Sequence, residues 1–110
     1  MELTEKQHSQ KRVFKITGRL DSNSSPKFET KILEVIQTSP MNIILDFKDL
    51  DYISSAGLRV VLKAAKRLEA TGRKLSICGM EEYVREVFEI AGFDTFIDII
   101  PTLKEALESR

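Results

Sequence analysis

The sequence predicts an α/β fold. A mixed sheet of about five strands is expected, with four helices packed on it in the order β-β-α-β-α-β-α-β-α, over a single domain spanning residues 1–110. Three observations carry this. Phe14 and Ile16 alternate with Val13, Lys15 and Thr17, the period of a half-buried strand, whereas Phe28, Ile32, Val35 and Ile36 recur at helical spacing. Ile43-Ile44-Leu45 is an unbroken apolar run, which suits a central strand covered on both faces. Helical patterns then fall between successive strand patterns, so the chain crosses back over a sheet each time.

Taken in order, residues 2–7 and 11–17 read as two strands joined by a polar turn at His8-Ser9-Gln10. Gly18-Arg19-Leu20-Asp21 is expected to leave the sheet, and Ser22-Asn23-Ser24-Ser25 is a polar loop. Pro26 suits a first helical position with Ser25 as its cap, and Thr38-Ser39-Pro40 ends that helix. Asn42 to Phe47 is the clearest strand, and Lys48 to Ile53 reads as a loop. A helix from about Ala56 to Thr71 turns Leu58, Val61, Leu62, Ala65 and Leu68 inward and stops at Gly72. Lys74 to Cys78 is a strand. Glu81 to Ala91 is a helix with Val84, Val87, Phe88 and Ala91 inward, stopped by Gly92. Thr95 to Ile100 is a last short strand. Thr102-Leu103-Lys104-Glu105 is a capping box opening a C-terminal helix with Leu103, Ala106 and Leu107 inward.

Composition narrows the function. Seventeen Lys and Arg balance seventeen Asp and Glu, so no net charge draws the chain to nucleic acid or an anionic membrane. Apolar runs are far shorter than a membrane helix, and Met1 to Lys6 contains no apolar signal region. Cys78 is the single cysteine, expected as a small hydrophobe in a buried strand and in keeping with a reducing cytoplasm. A cytoplasmic monomer is the expected state.

Catalysis is not supported. Ser54-Ser55-Ala56-Gly57 lacks the Gly-x-Ser-x-Gly frame of a nucleophile turn, because position 53 is Ile. The one histidine, His8, lies in a distant turn and offers no base. One His and one Cys cannot build a zinc site, no calcium-loop spacing or Gly-rich phosphate loop is present, and no cofactor is implied. Asp21, Asp46, Asp49 and Asp51 fall on loops expected near one edge. Lys63, Lys66, Arg67, Arg73 and Lys74 form a basic face of the kind that is solvated.

The informative stretch is Asp51 to Leu58, where a strand has ended and a helix begins with two serines. One hydroxyl is enough to cap the helix, leaving the other free. A spare hydroxyl beside unpaired N–H groups and the positive end of a helix dipole is a natural place for a phosphate.

Ile43-Ile44-Leu45-Asp46 followed by Tyr52-Ile53-Ser54-Ser55-Ala56-Gly57-Leu58 resembles the signature of the STAS domain, specifically of anti-sigma factor antagonists. Thr17-Gly18-Arg19-Leu20-Asp21, Leu75-Ser76-Ile77-Cys78-Gly79 and Phe88-Glu89-Ile90-Ala91-Gly92-Phe93 extend the resemblance along essentially the whole chain. In that family a serine ahead of the second helix is phosphorylated by an anti-sigma factor that is also a serine kinase. By position this falls on Ser55. Several members carry Asp before it, where this chain has Ser54, and often Ser or Thr where it has Ala56. The resemblance implies partner switching. The unmodified protein binds the anti-sigma factor and frees a sigma factor, the phosphorylated protein lets go, and a phosphoserine phosphatase could reset it. Asp21, Ser22, Asp46, Ser54, Ala56, Gly57 and Arg59 are expected to form the partner surface, with Gly57 either admitting the close approach of the kinase backbone or serving as ordinary punctuation of the first helical turn. Rival readings are a STAS module that binds unphosphorylated, as in transporter tails or lipid-transport complexes, and a nucleotide-binding STAS domain.

Overall fold

The computed structural model describes residues 1–95 and 97–109. The strands are β1 (Glu2–His8), β2 (Lys11–Leu20), β3 (Asn42–Asp46), β4 (Leu50–Ile53), β5 (Leu75–Cys78) and β6 (Asp98–Ile100). The helices are α1 (Ser25–Thr38), α2 (Ser55–Glu69), α3 (Glu82–Ile90) and α4 (Leu103–Glu108), with a short 3-10 turn at Phe93–Thr95. The main path of the sheet runs β1-β2-β3-β5-β6. β1 and β2 are antiparallel, and the remaining pairs are parallel across helical crossovers.

The apolar run of β3 is split between two cores. Ile43 and Leu45 join Phe14, Ile16, Leu75 and Ile77 under α1, α2 and α3, where Phe28, Val61, Leu68 and Phe88 are fully buried. Ile44 points to the opposite face and packs with Cys78 and Ala106 beneath α4. Strand alternation forces this division, because successive side chains leave the sheet on opposite sides. Lys11 fastens the small second layer by donating from Nζ to the carbonyls of Ala106 (2.8 Å), Leu107 (3.3 Å) and Ser109, where a cation suits the helix C-terminus.

Several elements differ from the sequence reading. β2 does not leave the sheet at Gly18 but continues to Leu20. Its first half pairs with β3 and its last three residues pair in parallel with β4. That fourth strand replaces the loop expected between Lys48 and Ile53. Gly18 faces Leu50 and Arg19 faces Tyr52, so Asp51 is an extra residue in the ladder and bulges out. Gly18 turns there at φ +95°, a conformation only glycine adopts without strain, and its N–H reaches the Asp49 carbonyl at 2.9 Å.

The start of α1 lies one residue earlier than expected, with Ser24 as its cap residue and Ser25 already helical. In α2, Val60 and Ala64 are buried alongside Val61, Ala65 and Leu68, whereas Leu58 and Leu62 are only half-buried. Ala91 is exposed beyond the end of α3, and Val87 is half-buried. Thr95 belongs to the 3-10 turn, so the last strand begins at Asp98; Phe96, placed in that strand by the sequence reading, lies outside the described residues. In α4, Ala106 is buried and Leu103 and Leu107 are half-buried. The Thr102 side-chain cap at its start is present, with Thr102 Oγ1 accepting from the Glu105 N–H at 3.1 Å.

Cys78, fully buried at the end of β5, has its thiol pushed up to about 12, first by burial and then by the nearby Asp46 carboxylate. Native protein is therefore expected to leave an aromatic disulfide reagent unreacted at pH 8 and to consume one equivalent only once unfolded. Stoichiometric labelling within minutes in the folded state would contradict this.

Candidate phosphoacceptor site at the start of α2

β2 and β4 run side by side and end together, and the chain turns from Ile53 directly into α2. Ser54 is the extended cap residue (φ −93°, ψ 174°). Its Oγ accepts from the Gly57 N–H at 3.3 Å, its carbonyl accepts from the Leu58 N–H at 2.9 Å, and its own N–H donates to the Leu20 carbonyl at 2.9 Å. Both ends of the serine backbone are thereby fixed, one to the helix and one to β2. Ser55, the first helical residue, is exposed, and its hydroxyl makes no hydrogen bond to any other described residue. The first N–H groups of a helix have no intrahelical acceptor, and with that of Gly57 taken by Ser54 those of Ser55 and Ala56 are left over, so this hydroxyl stands at the positive end of a helix of 15 residues. Ser54→Ala removes the cap and is expected to lower stability by about 1 kcal/mol, measurable by urea denaturation, with Ser55 still exposed.

Gly57 has a packing role. It is buried, and a Cβ placed there would lie 2.8 Å from Ile53 Cγ1, 2.9 Å from the Leu20 carbonyl oxygen and 3.0 Å from Leu20 Cγ. The absence of a side chain lets α2 sit against the ends of β2 and β4. The expected role in admitting a partner's backbone has no room at a position already filled by its own fold.

Asp21 lies just beyond β2, half-buried. Its Oδ1 accepts from the N–H groups of Asn23 (3.0 Å) and Ser24 (3.2 Å), and Arg19 stands 3.7 Å from Oδ2. The Ser24 N–H, above all, holds this carboxyl below its ordinary range. Ser22 is exposed on the same loop. Ser22, Ala56 and Arg59 come together along a groove of about 320 Å³ between the first turns of α1 and α2. Asp46 differs from these. It is 6% exposed, and its carboxylate turns inward to accept from the Lys48 N–H at 3.1 Å, fixing the loop that leads to β4. Of the four acids expected near one edge, Asp46 is thus buried, while Asp49 is exposed and paired with Lys15 at 3.0 Å.

The structure adds residues that sequence patterning did not single out. Arg19 stacks over the Tyr52 ring at 4.2 Å from its centroid, three residues before Ser55. Tyr83 of α3 is a second exposed ring, its hydroxyl held above the ordinary range first by partial burial and then by the carboxylates of Glu81 and Asp51, with Arg19 opposing. Both tyrosines are partly exposed. The signal available in the sequence was an aromatic in an otherwise polar turn, but nothing local shows that its ring faces outward.

The one histidine does not lie beside the serines. His8 shares a hollow with Lys11, Asn42 and Arg73 at the start of β2, whereas the serines adjoin its other end. The length of β2 lies between the two, far beyond hydrogen-bond reach. Among the described residues no group of three or more His, Cys, Asp or Glu could hold a metal ion, and no helix is long and apolar enough to cross a membrane.

A mixed sheet with helices on both faces and a serine pair at the head of α2 defines the class, and comparison with known proteins agrees: residues 2–106 match the STAS domain, and the chain belongs to that family. It is 41% identical over 78 residues to BtrV of Bordetella bronchiseptica, whose name assigns it as an anti-sigma factor antagonist, covering 71% of this chain and 67% of that one. An anti-sigma factor antagonist from Mycobacterium paratuberculosis superposes with a TM-score of 0.89 at 22% identity, covering 96% of this chain and 90% of that one. The phosphorylated form of the Bacillus cell fate determinant SpoIIAA superposes at 0.80 with 24% identity and 97% coverage of each chain.

Proposed function

We propose that this protein is the switchable partner of an anti-sigma factor that is also a serine kinase. Unmodified, it binds that factor in the cytoplasm and frees a sigma factor. Phosphorylation of Ser55 releases it, and a phosphoserine phosphatase returns it to the binding form. The observation that carries the reading is the division of labour between the serines. Ser54 Oγ is committed to the Gly57 N–H, which leaves the Ser55 hydroxyl exposed and without a partner among the described residues. A kinase needs such a hydroxyl, and a helix start tolerates the product because its free N–H groups and dipole favour negative charge.

Ser22, Ala56 and Arg59, which line one groove beside the start of α2, and Asp21 on the loop after β2 form the surface the partner meets. Asp46 supports that surface from beneath by fixing the chain ahead of β4. The test is incubation with ATP and the candidate kinase, a small ATP-binding protein encoded beside this one, followed by mass spectrometry. One phosphate on Ser55 is expected. Phosphate on Ser54, or none with a kinase that binds the protein, would overturn the assignment.

A further inference from the structure

The first turn of α1 carries a feature that the phosphorylation switch does not use. Ser25 is 3% exposed, and its hydroxyl has no hydrogen-bond partner. A buried hydroxyl without a partner is unfavourable, so it points to a group that completes the bond when it arrives. Ser25 lines the groove between α1 and α2 together with Pro26 and Glu29 on one side and Arg59, Val60 and Lys63 on the other. Lys63 Nζ is paired with Glu29 at 2.8 Å, which cancels those two charges. Arg59 is exposed and has no ion-pair partner among the described residues. The groove therefore presents one uncompensated positive charge, one unmet hydroxyl donor and apolar walls from Pro26 and Val60.

We propose that this groove is a socket for a single carboxylate side chain of the partner protein that docks over Ser55. Ser25 donates its O–H to the carboxylate and Arg59 pairs with it. A charge-assisted hydrogen bond combined with a guanidinium contact is the strong form of both interactions. The balance of charge selects a monoanion. With Glu29 and Lys63 neutralising each other, Arg59 is the one cation left over, and a lone carboxylate matches it charge for charge. Ala56 lines the same groove and adjoins Ser55 in sequence, so one footprint covers both socket and phosphoacceptor. The inference rests on the reading of Ser55 as the centre of a docking surface.

The test needs no kinase. Isotopically labelled full-length protein is titrated by NMR with N-acetylglutamate N-methylamide, with its glutamine counterpart and with inorganic phosphate, all at constant ionic strength. The glutamate probe is expected to give saturable shifts confined to Ser25, Ala56 and the Arg59 side chain, with a dissociation constant in roughly the millimolar range. The glutamine probe is expected to bind at least about fivefold more weakly. Arg59→Gln and Ser25→Ala should each weaken the glutamate probe several-fold. Ser25→Ala should leave the melting temperature unchanged or raised, because the hydroxyl has no bond to lose. Equal binding of the two amino-acid probes, no localised shift, or tighter binding of phosphate at these residues would overturn the socket. Any of those results would leave the Ser55 switch standing, whereas failure of Ser55 phosphorylation with the socket intact would remove only the switch.

Discussion

Phosphorylated protein is expected to bind its anti-sigma factor several-hundred-fold more weakly than unmodified protein, and Ser55→Ala is expected to stay bound whether or not ATP is supplied. A phosphoserine adds a charge of about −1.5 to −2 to a side chain that carried none. A partner seated over Ser55 would have to desolvate that charge, and an uncompensated buried charge costs several kcal/mol. A loss of only about 3–4 kcal/mol already corresponds to several hundredfold in affinity, since about 1.4 kcal/mol is tenfold. Ser55→Asp brings a single charge on a shorter side chain, so it should weaken binding in the same direction by a smaller factor. Isothermal titration of the four forms against the kinase measures all of this. Equal affinities for Ser55→Ala and Ser55→Asp would remove Ser55 as the control point.

The same geometry predicts that the switch does not work by unfolding. Ser55 is exposed and lies at the helix end that favours anions, so its phosphate meets donors rather than apolar side chains. The melting temperatures of modified and unmodified protein should therefore lie within a few degrees of one another. A large drop on phosphorylation would relocate the signal from the surface to the core.

Gly57→Ala separates helix propensity from packing, because the two predict opposite signs. Propensity alone favours alanine in a helix by about 1 kcal/mol. Packing opposes it, since the new methyl would stand 2.8 Å from Ile53 Cγ1 and 2.9 Å from the Leu20 carbonyl oxygen. Ile53 can shift its side chain slightly. The Leu20 carbonyl has less freedom, because it also accepts the Ser54 N–H at 2.9 Å. Overpacking of this kind costs about 1–3 kcal/mol or more, and against backbone the upper part of that range applies. The expected net effect is a loss of about 2 kcal/mol and a melting temperature lower by on the order of 8 °C. Binding should suffer as well, because relief of the clash pushes the start of α2 outward and carries Ser55 with it. A variant as stable as the parent, or more so, would show that α2 is not seated against β2 as described.

How much of this could be read from the sequence varies from residue to residue. The pattern of β3 placed it at the centre of the sheet, because three consecutive apolar residues can be buried together only when both faces are covered. The serine pair at the head of α2 and the side-chain cap at Thr102 were equally plain, since both depend on residues within one turn of each other. Asp46 misled for the converse reason. Its type suggests a surface acid, and only the path of the loop shows its carboxylate turned in toward the Lys48 N–H.

The sequence by itself determined the order of the elements apart from β4, the start of α2 and the presence of two candidate hydroxyls there. Tertiary structure alone decided that β4 is a strand, that Gly57 is filled space, and that Ser25 and Arg59 line one groove. The physical reason is distance along the chain. The ladder partner of β4 is Gly18 to Leu20, some thirty residues earlier, and the two walls of the groove belong to helices separated by two strands. A local pattern records how each residue meets solvent and its near neighbours, and carries no mark of a partner supplied only when distant segments come to lie side by side.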